Sequence, residues 1–232
     1  LGSRRKMERW IEEGRVTVPN FYDDVEPLTD EERELVAKVV PNFESEWSEV
    51  VNAPQQYGEP GYNLHERIGA RPTLEINGMF GGYTGEGFKT VLPATATAKI
   101  SCRLVPGQNP EKVTQQVIDY INAIAPPTVT VNAYVKEDGA PAVKLDVTST
   151  AMQAGKVAYT YAWGIEPVFE LAGGSVPITF ECMKVADEVV IMSYGLKSGR
   201  AHGQNENIYL QNFYNAIQST IKFIDEVGSR HE

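Results

Sequence analysis

The sequence has 232 residues, 42% apolar and 22% charged, which is typical of a globular protein with one large or two smaller domains. Its formal charge of -10 excludes the basic stripe of a nucleic-acid-binding protein, and no run reaches the roughly 18 apolar residues of a membrane span. Two cysteines, Cys102 and Cys182, are too few for a disulfide framework and favour a cytoplasmic location.

The N-terminal part of the chain predicts two helices. KMERWIEEG (6–14) has a helical pattern and precedes an extended RVTVP segment. LTDEERELVAKVVP (28–41) begins with Thr29 and Glu32 at the spacing of a capping box, in which each side chain bonds the backbone N–H of the other residue. We therefore expect the second helix to start directly after Thr29.

Three segments alternate between apolar and polar residues, which predicts antiparallel strands with one face in solvent: TLEING (73–78), ATATAKISCRL (94–104) and TVTVNAYV (128–135). Between the last two, NPEKVTQQVIDYINAIAPP predicts a helix that Asn109 caps and that has Pro110 in its first turn. Its apolar stripe consists of Val113, Val117, Tyr120, Ile121 and Ile124. Residues 1–145 therefore predict an antiparallel sheet covered by helices on one face.

After residue 145 the pattern changes to short apolar runs between helices. PVFELA (167–172) and EVVIMSYG (188–195) predict strands that are covered on both faces, and STAMQAGKVAYTYAWG predicts a helix from Ser149 to Gly164. A last helix from about Asn207 would bury the stripe Leu210, Phe213, Tyr214, Ile217, Ile221 and Ile224. Because two strands give poor burial on both faces, we expect the missing strands to come from elsewhere.

Two features can hold an anion. In LAGGSVPITF (171–180), Gly173 and Gly174 allow close approach of the backbone to a ligand, and Ser175 can cap a helix whose free amides attract a carboxylate. A plain strand-to-helix turn with a capping serine is the alternative interpretation. Arg103 lies on the polar face of its strand and can clamp a carboxylate bidentately, although most strand arginines are merely solvated.

The loop between the first two predicted strands is unusually rich in glycine. GMFGGYTGEGFKTVLP (78–93) contains five glycines, more than a tight hairpin needs. Such a loop either approaches another surface closely or moves, and a loosely built surface loop is equally compatible with its composition.

Several catalytic arrangements are excluded. Around Ser193, IMSYG has Ile191 in place of the first glycine of a G-x-S-x-G elbow. Cys102 alternates with core residues, which favours a buried, inert thiol. His202, in AHGQNEN (201–207), can be a metal ligand, an acid/base group or a plain polar side chain.

Four segments, in this order, carry a family resemblance: GRVTVPNFYDDV, RPTLEINGMFGGYTGEGFKTVLPATATAKISCRLVPGQNPEKV, LAGGSVPI and AHGQNE. The chain resembles, from about Gly14 onwards, the dizinc dipeptidases of the carnosinase and cytosolic nonspecific dipeptidase type. These share a superfamily with acetylornithine deacetylase and succinyl-diaminopimelate desuccinylase. The resemblance implies an α+β, ferredoxin-like lid domain that forms homodimers, in residues 1–145. It further implies that residues 146–232 are the C-terminal portion of a three-layer α/β zinc-peptidase catalytic domain.

The same resemblance implies roles for five residues. His202 would be the last protein ligand of a centre with two zinc ions, or other divalent metals. Arg103 and Ser175 would hold the carboxylate of a dipeptide substrate, which approaches the backbone at Gly174. Thr90 would reach the active site of the partner subunit.

The resemblance implies a catalytic segment before the lid, with an H-x-D motif, a bridging aspartate and paired glutamates, and that segment is absent from the 232 residues. A lid histidine in a D-L-H-S-G stretch is also absent. His65 matches no family histidine and is interpreted as a loop residue. We therefore expect the chain to be a fragment, inactive alone, of a cytoplasmic zinc dipeptidase. Two alternatives stay open: a non-catalytic, lid-like module that dimerises or binds peptides, and an N-acyl amino acid deacylase.

Overall fold

The computed structural model describes residues 11–12, 14–51, 53–136, 139–173 and 176–230. They form two compact units. The first contains the described residues up to Ala142 together with those of the segment 170–175, and the second contains residues 143–169 and those from Val176 onwards. The segment that starts at Glu170 thus packs with the first unit. The predicted boundary at 145/146 places this segment in the second domain.

The first unit contains two antiparallel strand pairs and three helices. Their bounds are β1 Ile11–Glu12, β2 Arg15–Val16, α1 Asp30–Val51, α2 Leu64–Gly69, β3 Thr73–Phe80, β4 Thr97–Arg103 and α3 Pro110–Ile124. In the larger pair, Thr73 lies opposite Arg103, and a register shift occurs between Ile76 and Gly78. This small antiparallel sheet with helices confirms the predicted mixed α/β class.

The core of the first unit lies between the sheet and α3. Along β4, Ala98, Ile100 and Cys102 are partly buried and the residues between them are exposed, as the alternating sequence predicts. Asn109 accepts a hydrogen bond from the Lys112 amide at 2.9 Å and caps α3. The buried core residues are Val16, Val18, Phe21, Leu74, Val113 and Val117.

Two N-terminal predictions have different outcomes. The capping box of α1 is confirmed, because the Thr29 amide donates to Glu32 at 2.9 Å and the Glu32 amide donates to the Thr29 hydroxyl at 3.2 Å. The helix continues through Pro41 to Val51, beyond its predicted end. The predicted helix 6–14 is wrong in its described part, since Ile11–Glu12 is a strand; residues 6–10 and 13 lie outside the described residues.

Three predicted strands are not found. The segments 128–135, 167–172 and 188–195 have no regular secondary structure. A strand exists only where a neighbouring backbone supplies ladder hydrogen bonds, and among the described residues these three segments have no such neighbour. The apolar residues of these segments suggested buried strands, but the segments do not themselves provide the neighbouring strands that a sheet requires.

The second unit is mainly helical and contains α4 Thr150–Trp163, α5 Pro177–Cys182, a short 3₁₀ helix Lys197–Gly199 and α6 Leu210–Arg230. Ser149 caps α4 and Gly164, with φ of 70°, ends it, as predicted. The helices α4 and α6 pack together. Ala154, Ala158 and Ser219 are fully buried, and such small side chains allow helices to approach closely. No helix in the described part of the chain combines the length and apolarity needed to cross a membrane.

The apolar stripe of α6 was predicted to be buried and is instead exposed. Its six side chains are between 46% and 65% exposed: Leu210, Phe213, Tyr214, Ile217, Ile221 and Ile224. The described residues provide no sheet to cover it, because the strands predicted in this unit do not form. A contiguous apolar surface of this kind on a helix is typical of a face that other protein covers.

A buried ion pair anchors the loop before α2. The Glu59 carboxylate accepts two hydrogen bonds from the Arg71 guanidinium, at 2.7 and 2.9 Å, and Arg15 approaches it at 3.3 Å. Arg71 also lies over the rings of Tyr22 and Tyr62, at 4.9 and 4.5 Å from their centroids. Because both Glu59 and Arg71 are largely removed from water, each depends on the other for compensation of its charge.

We expect Glu59→Gln to lower the free energy of unfolding of the first unit by about 3 kcal/mol, because it leaves the Arg71 charge without its buried partner. Native-state hydrogen exchange of the β3 and β4 amides measures this unit separately from the second. The control is Asp24→Asn, which removes the more exposed ion pair to Lys112 in the same unit and should change stability little. Equal losses of stability from the two substitutions would contradict the expectation that the buried ion pair matters more than an exposed one.

Cys102 lies on the core side of β4, and its environment disfavours the thiolate. Burial, with a smaller contribution from the charge of Glu75, raises the pKa of the thiol to about 12. Since the thiolate is the reactive form, Cys102 is unsuited to act as a nucleophile. The predicted inert thiol agrees with this environment.

Alkylation by iodoacetamide at pH 8.5 should modify Cys102 at least about tenfold more slowly in the folded chain than in the chain unfolded by guanidinium. The thiolate fraction falls by a larger factor, but a thiolate of higher pKa is also a better nucleophile. Mass spectrometry of the peptide that contains Cys102 gives both rates. Equal rates would show that the thiol is accessible and readily ionised.

Candidate functional site

Arg103, the predicted carboxylate clamp, is the last residue of β4 and is exposed to solvent. Its Nη1 donates a hydrogen bond to the Gly173 carbonyl oxygen at 3.2 Å, across 70 residues of sequence. The structure therefore brings Arg103 to the segment that leads into the predicted substrate-binding turn. Gly174 and Ser175 themselves lie outside the described residues.

The helix after this turn begins later than the sequence suggests. Its first residue is Pro177 and its N-cap is Val176, which makes no side-chain capping bond. Ser175, the residue predicted to cap this helix, lies outside the described residues. Proline already lacks one of the N–H groups that a cap would satisfy, so the helix start has less need of a serine.

The segment before Gly174 is held against α2. The Leu171 amide donates a hydrogen bond to Nε2 of His65 at 3.0 Å. A Cβ atom added to Gly69 would lie 2.4 Å from the Leu171 Cβ, and one added to Gly173 would lie 2.6 Å from the Ile68 carbonyl oxygen. These two glycines thus permit a backbone approach that a side chain at either position would prevent.

Sequence reasoning missed the role of His65, which was interpreted as a loop residue. It lies instead in α2 and is fully buried. Asn63 and Glu66 form a capping box around it, with both hydrogen bonds at 2.9 Å. The spacing of Asn63 and Glu66 is the sequence signal that could have placed His65 on a helix.

Burial alters two titratable groups of this region in opposite directions. Desolvation lowers the pKa of His65, and the charge of neighbouring Glu66 only partly offsets this effect. Desolvation raises the pKa of Glu170, which directly precedes Leu171. A neutral imidazole is also what the hydrogen bond requires, because Nε2 can accept from Leu171 only when it carries no proton.

The glycine-rich loop between β3 and β4 is exposed throughout residues 81–96, and Thr90 lies on it. Phe88 and Leu92 are 90% and 91% exposed. Lys89 lies over the Tyr83 ring, with its Nζ 4.7 Å from the centroid. The loop therefore presents apolar side chains on both sides of Thr90 to solvent.

His202 lies in the exposed loop between the 3₁₀ helix and α6. It adopts a positive φ of 63°, and Arg200 and Asn205 do the same at 55° and 60°. The Gly203 amide donates to the Arg200 carbonyl at 2.8 Å and closes a tight turn around the histidine. Left-handed conformations in residues other than glycine are uncommon and cluster at functional loops.

The described residues do not by themselves fit a zinc centre. They contain no group of three or more His, Cys, Asp or Glu side chains that could hold a metal ion. A zinc centre uses three or four protein ligands, so His202 alone does not suffice. A centre that includes His202 therefore needs ligands from outside the described part of the chain.

Comparisons with known proteins give consistent relatives. Residues 27–129 match the peptidase dimerisation domain of the M20 family. The chain is 28% identical to the Cys-Gly metallodipeptidase DUG1 of Candida albicans over 93% of its own length and 45% of that protein. It is 25% identical to the Beta-Ala-His dipeptidase of Rattus norvegicus, over 94% of its own length and 45% of that protein.

A solved structure agrees with these matches. The M20 family metallo-carboxypeptidase Sso-CP2 from Sulfolobus solfataricus is 30% identical, with a TM-score of 0.78 over 94% of this chain and 49% of that one. The chain thus spans about half the length of the proteins that it matches. Residues 27–129 are thus similar to a peptidase dimerisation domain of the M20 type, and nearly the whole chain is similar to about half of the metallodipeptidases.

Proposed function

We propose that this chain is the dimerisation domain and the C-terminal catalytic portion of a zinc-dependent dipeptidase. The observation that carries the proposal is the hydrogen bond from Arg103 to the Gly173 carbonyl oxygen. It brings a cation at the end of β4 to the backbone that precedes Gly174 and Ser175, and a guanidinium next to backbone N–H groups can bind an anionic substrate group. The metallodipeptidase relatives support the same reaction class.

Arg103 would recognise the C-terminal carboxylate of the dipeptide. A guanidinium carries five N–H donors, and the bond to Gly173 uses one of them. The remaining donors can form a bidentate pair with a carboxylate, while Ser175 and the Gly174 backbone contribute further polar contacts. A site that requires a carboxylate next to the scissile bond selects the C-terminal peptide bond, which is the single peptide bond of a dipeptide, over internal peptide bonds.

His202 would be one ligand of a centre with two zinc ions. Bound zinc lowers the pKa of a water molecule and polarises the scissile carbonyl group. In this proposal His202 uses its neutral imidazole, held in a tight exposed turn. The general base and the other ligands would come from a catalytic segment outside the 232 residues, and the exposed stripe of α6 supports the existence of further protein beside this unit.

The intact enzyme would act as a homodimer through the first unit. The match of residues 27–129 to a dimerisation domain supports this assembly, and so does the exposure of Phe88 and Leu92. Thr90, between these two residues, would reach the active site of the partner subunit. A cytoplasmic location agrees with two cysteines that form no disulfide within the chain.

The 232-residue chain alone should bind well under two zinc ions per molecule and should not cleave dipeptides. The protein encoded by the whole gene should do both, because it supplies the remaining ligands and the general base. Elemental analysis and assays with a dipeptide and an N-acyl amino acid test both proteins. Two zinc ions with turnover in the short chain would contradict the need for a further segment, and cleavage of only the N-acyl amino acid would contradict a dipeptidase.

In the longer protein, Arg103→Ala should lower kcat/KM for a dipeptide by about 100-fold or more, because it removes a bidentate bond worth about 3 kcal/mol. It should affect a dipeptide amide much less, since the amide lacks the carboxylate. Lys99→Ala is the matched control, because Lys99 is exposed on the same face of β4. Equal losses for the acid and the amide would contradict carboxylate recognition by Arg103.

A further inference from the structure

The segment 171–173 contacts both α2 and the end of β4 in the first unit. His65 is on α2 and fully buried, and its Nε2 accepts the Leu171 amide across 106 residues of sequence. Two residues after Leu171, the Gly173 carbonyl accepts the hydrogen bond of Arg103 at the end of β4. One short segment is thus bonded on one side to α2 and on the other to the predicted carboxylate clamp.

Helix α2 is a rigid support for this contact. Although it has only six residues, its capping box satisfies two backbone N–H groups at its start. Arg67 donates from Nε to the Glu59 carbonyl at 3.0 Å and ties the helix to the buried ion pair. These contacts hold α2 to the loop that contains Glu59.

Residues 171–173 lie close against α2, and this close packing leaves the segment little freedom to shift. Gly69 lies against Leu171 and Gly173 lies against Ile68, at distances that exclude a side chain on either glycine. The Leu171–His65 hydrogen bond is directional and therefore favours one position of the segment along α2. A shift of the segment by one residue would remove Gly173 from Arg103.

We propose that His65 is a positioning residue of the substrate site. Its neutral imidazole fixes residues 171–173 against α2, so that the backbone entering the Gly-Gly-Ser turn meets Arg103. His65 does not touch the substrate in this arrangement; it acts through Leu171 and Gly173. The inference rests on the proposed function for the role of Arg103, but the docking of the segment can be measured without any activity.

The docking should depend on pH. Desolvation lowers the pKa of His65 from its ordinary value of 6.5, so the released segment leaves an imidazole that binds a proton more readily. The contribution of His65 to docking is therefore complete above pH 6.5 and decreases as the pH falls below that value. The charged groups near the contact are Glu66, which opposes the shift, Arg103, and Glu170, whose raised pKa favours docking at low pH.

Two variants of His65 separate the hydrogen bond from the shape and the charge of the side chain. In His65→Gln, the amide oxygen can replace Nε2 as the acceptor but cannot titrate near neutral pH. In His65→Phe, the ring fills a similar volume but accepts no hydrogen bond. Because Glu170 is unchanged in both variants, any pH dependence that it contributes appears in all three proteins.

The experiment is hydrogen exchange of the Leu171 amide in the 232-residue chain between pH 5 and 8, corrected for intrinsic exchange at each pH. We expect the wild-type amide to lose protection below pH 6.5, His65→Gln to stay protected across the range, and His65→Phe to exchange at least about tenfold faster throughout. The amides of α3 should stay protected in all three proteins, as a control for folding. Wild-type protection that is independent of pH, or equal protection in His65→Phe, would overturn the proposal.

Activity gives a second and separate readout. In the longer protein, His65→Phe should lower the preference for a dipeptide over its amide, and His65→Gln should restore it. If the exchange results are as expected but the longer protein cleaves no dipeptide, the docking role stands and the proposed function fails. If the preference is unchanged in His65→Phe while exchange accelerates, the segment docks through His65 but does not serve the site, and the proposal is overturned.

Discussion

The hydrogen bond between the Leu171 amide and His65 joins two parts of the chain that are 106 residues apart. Closing a loop of that length costs conformational entropy, and one hydrogen bond contributes only about 1 kcal/mol. The contact is sustained because glycine at 69 and 173 allows backbone and side chains to pack without a gap. This packing determines the position of the Gly173 carbonyl group that Arg103 binds. It therefore also determines the geometry of the proposed substrate site.

The position of α2 depends in turn on the buried ion pair between Glu59 and Arg71. Glu59 holds Arg71 by two hydrogen bonds, and its backbone carbonyl accepts from Arg67 on α2. On the other side of the helix start, Arg33 of α1 approaches Glu66 at 3.7 Å. A buried pair contributes little net stability compared with apolar packing, but it is highly directional. It therefore suits a region whose function is to keep a helix in one place.

Local patterns in the sequence were sufficient for the elements whose stabilising partners lie nearby in the chain. The alternation along β4, the capping box at Thr29 and the caps of α3 and α4 all depend on a few neighbouring residues. The runs 167–172 and 188–195 failed as strands because a strand depends on a neighbour that those runs do not encode. His65 was missed because its only visible signal, the Asn63–Glu66 spacing, was not read as a helix start.

The exposed stripe of α6 has a different origin from these local errors. Its periodicity is a signal of burial, but the more buried face of the helix contains instead the fully buried Ser219 with half-buried neighbours that include Asn215, Ala216 and Phe223. The helix thus has one face that is already packed and one apolar face that is still exposed. Leaving six large apolar side chains about half exposed forgoes several kcal/mol of burial. The sequence of α6 is therefore suited to a protein in which a further layer covers this face, and the relatives, about twice as long, have the residues to form one.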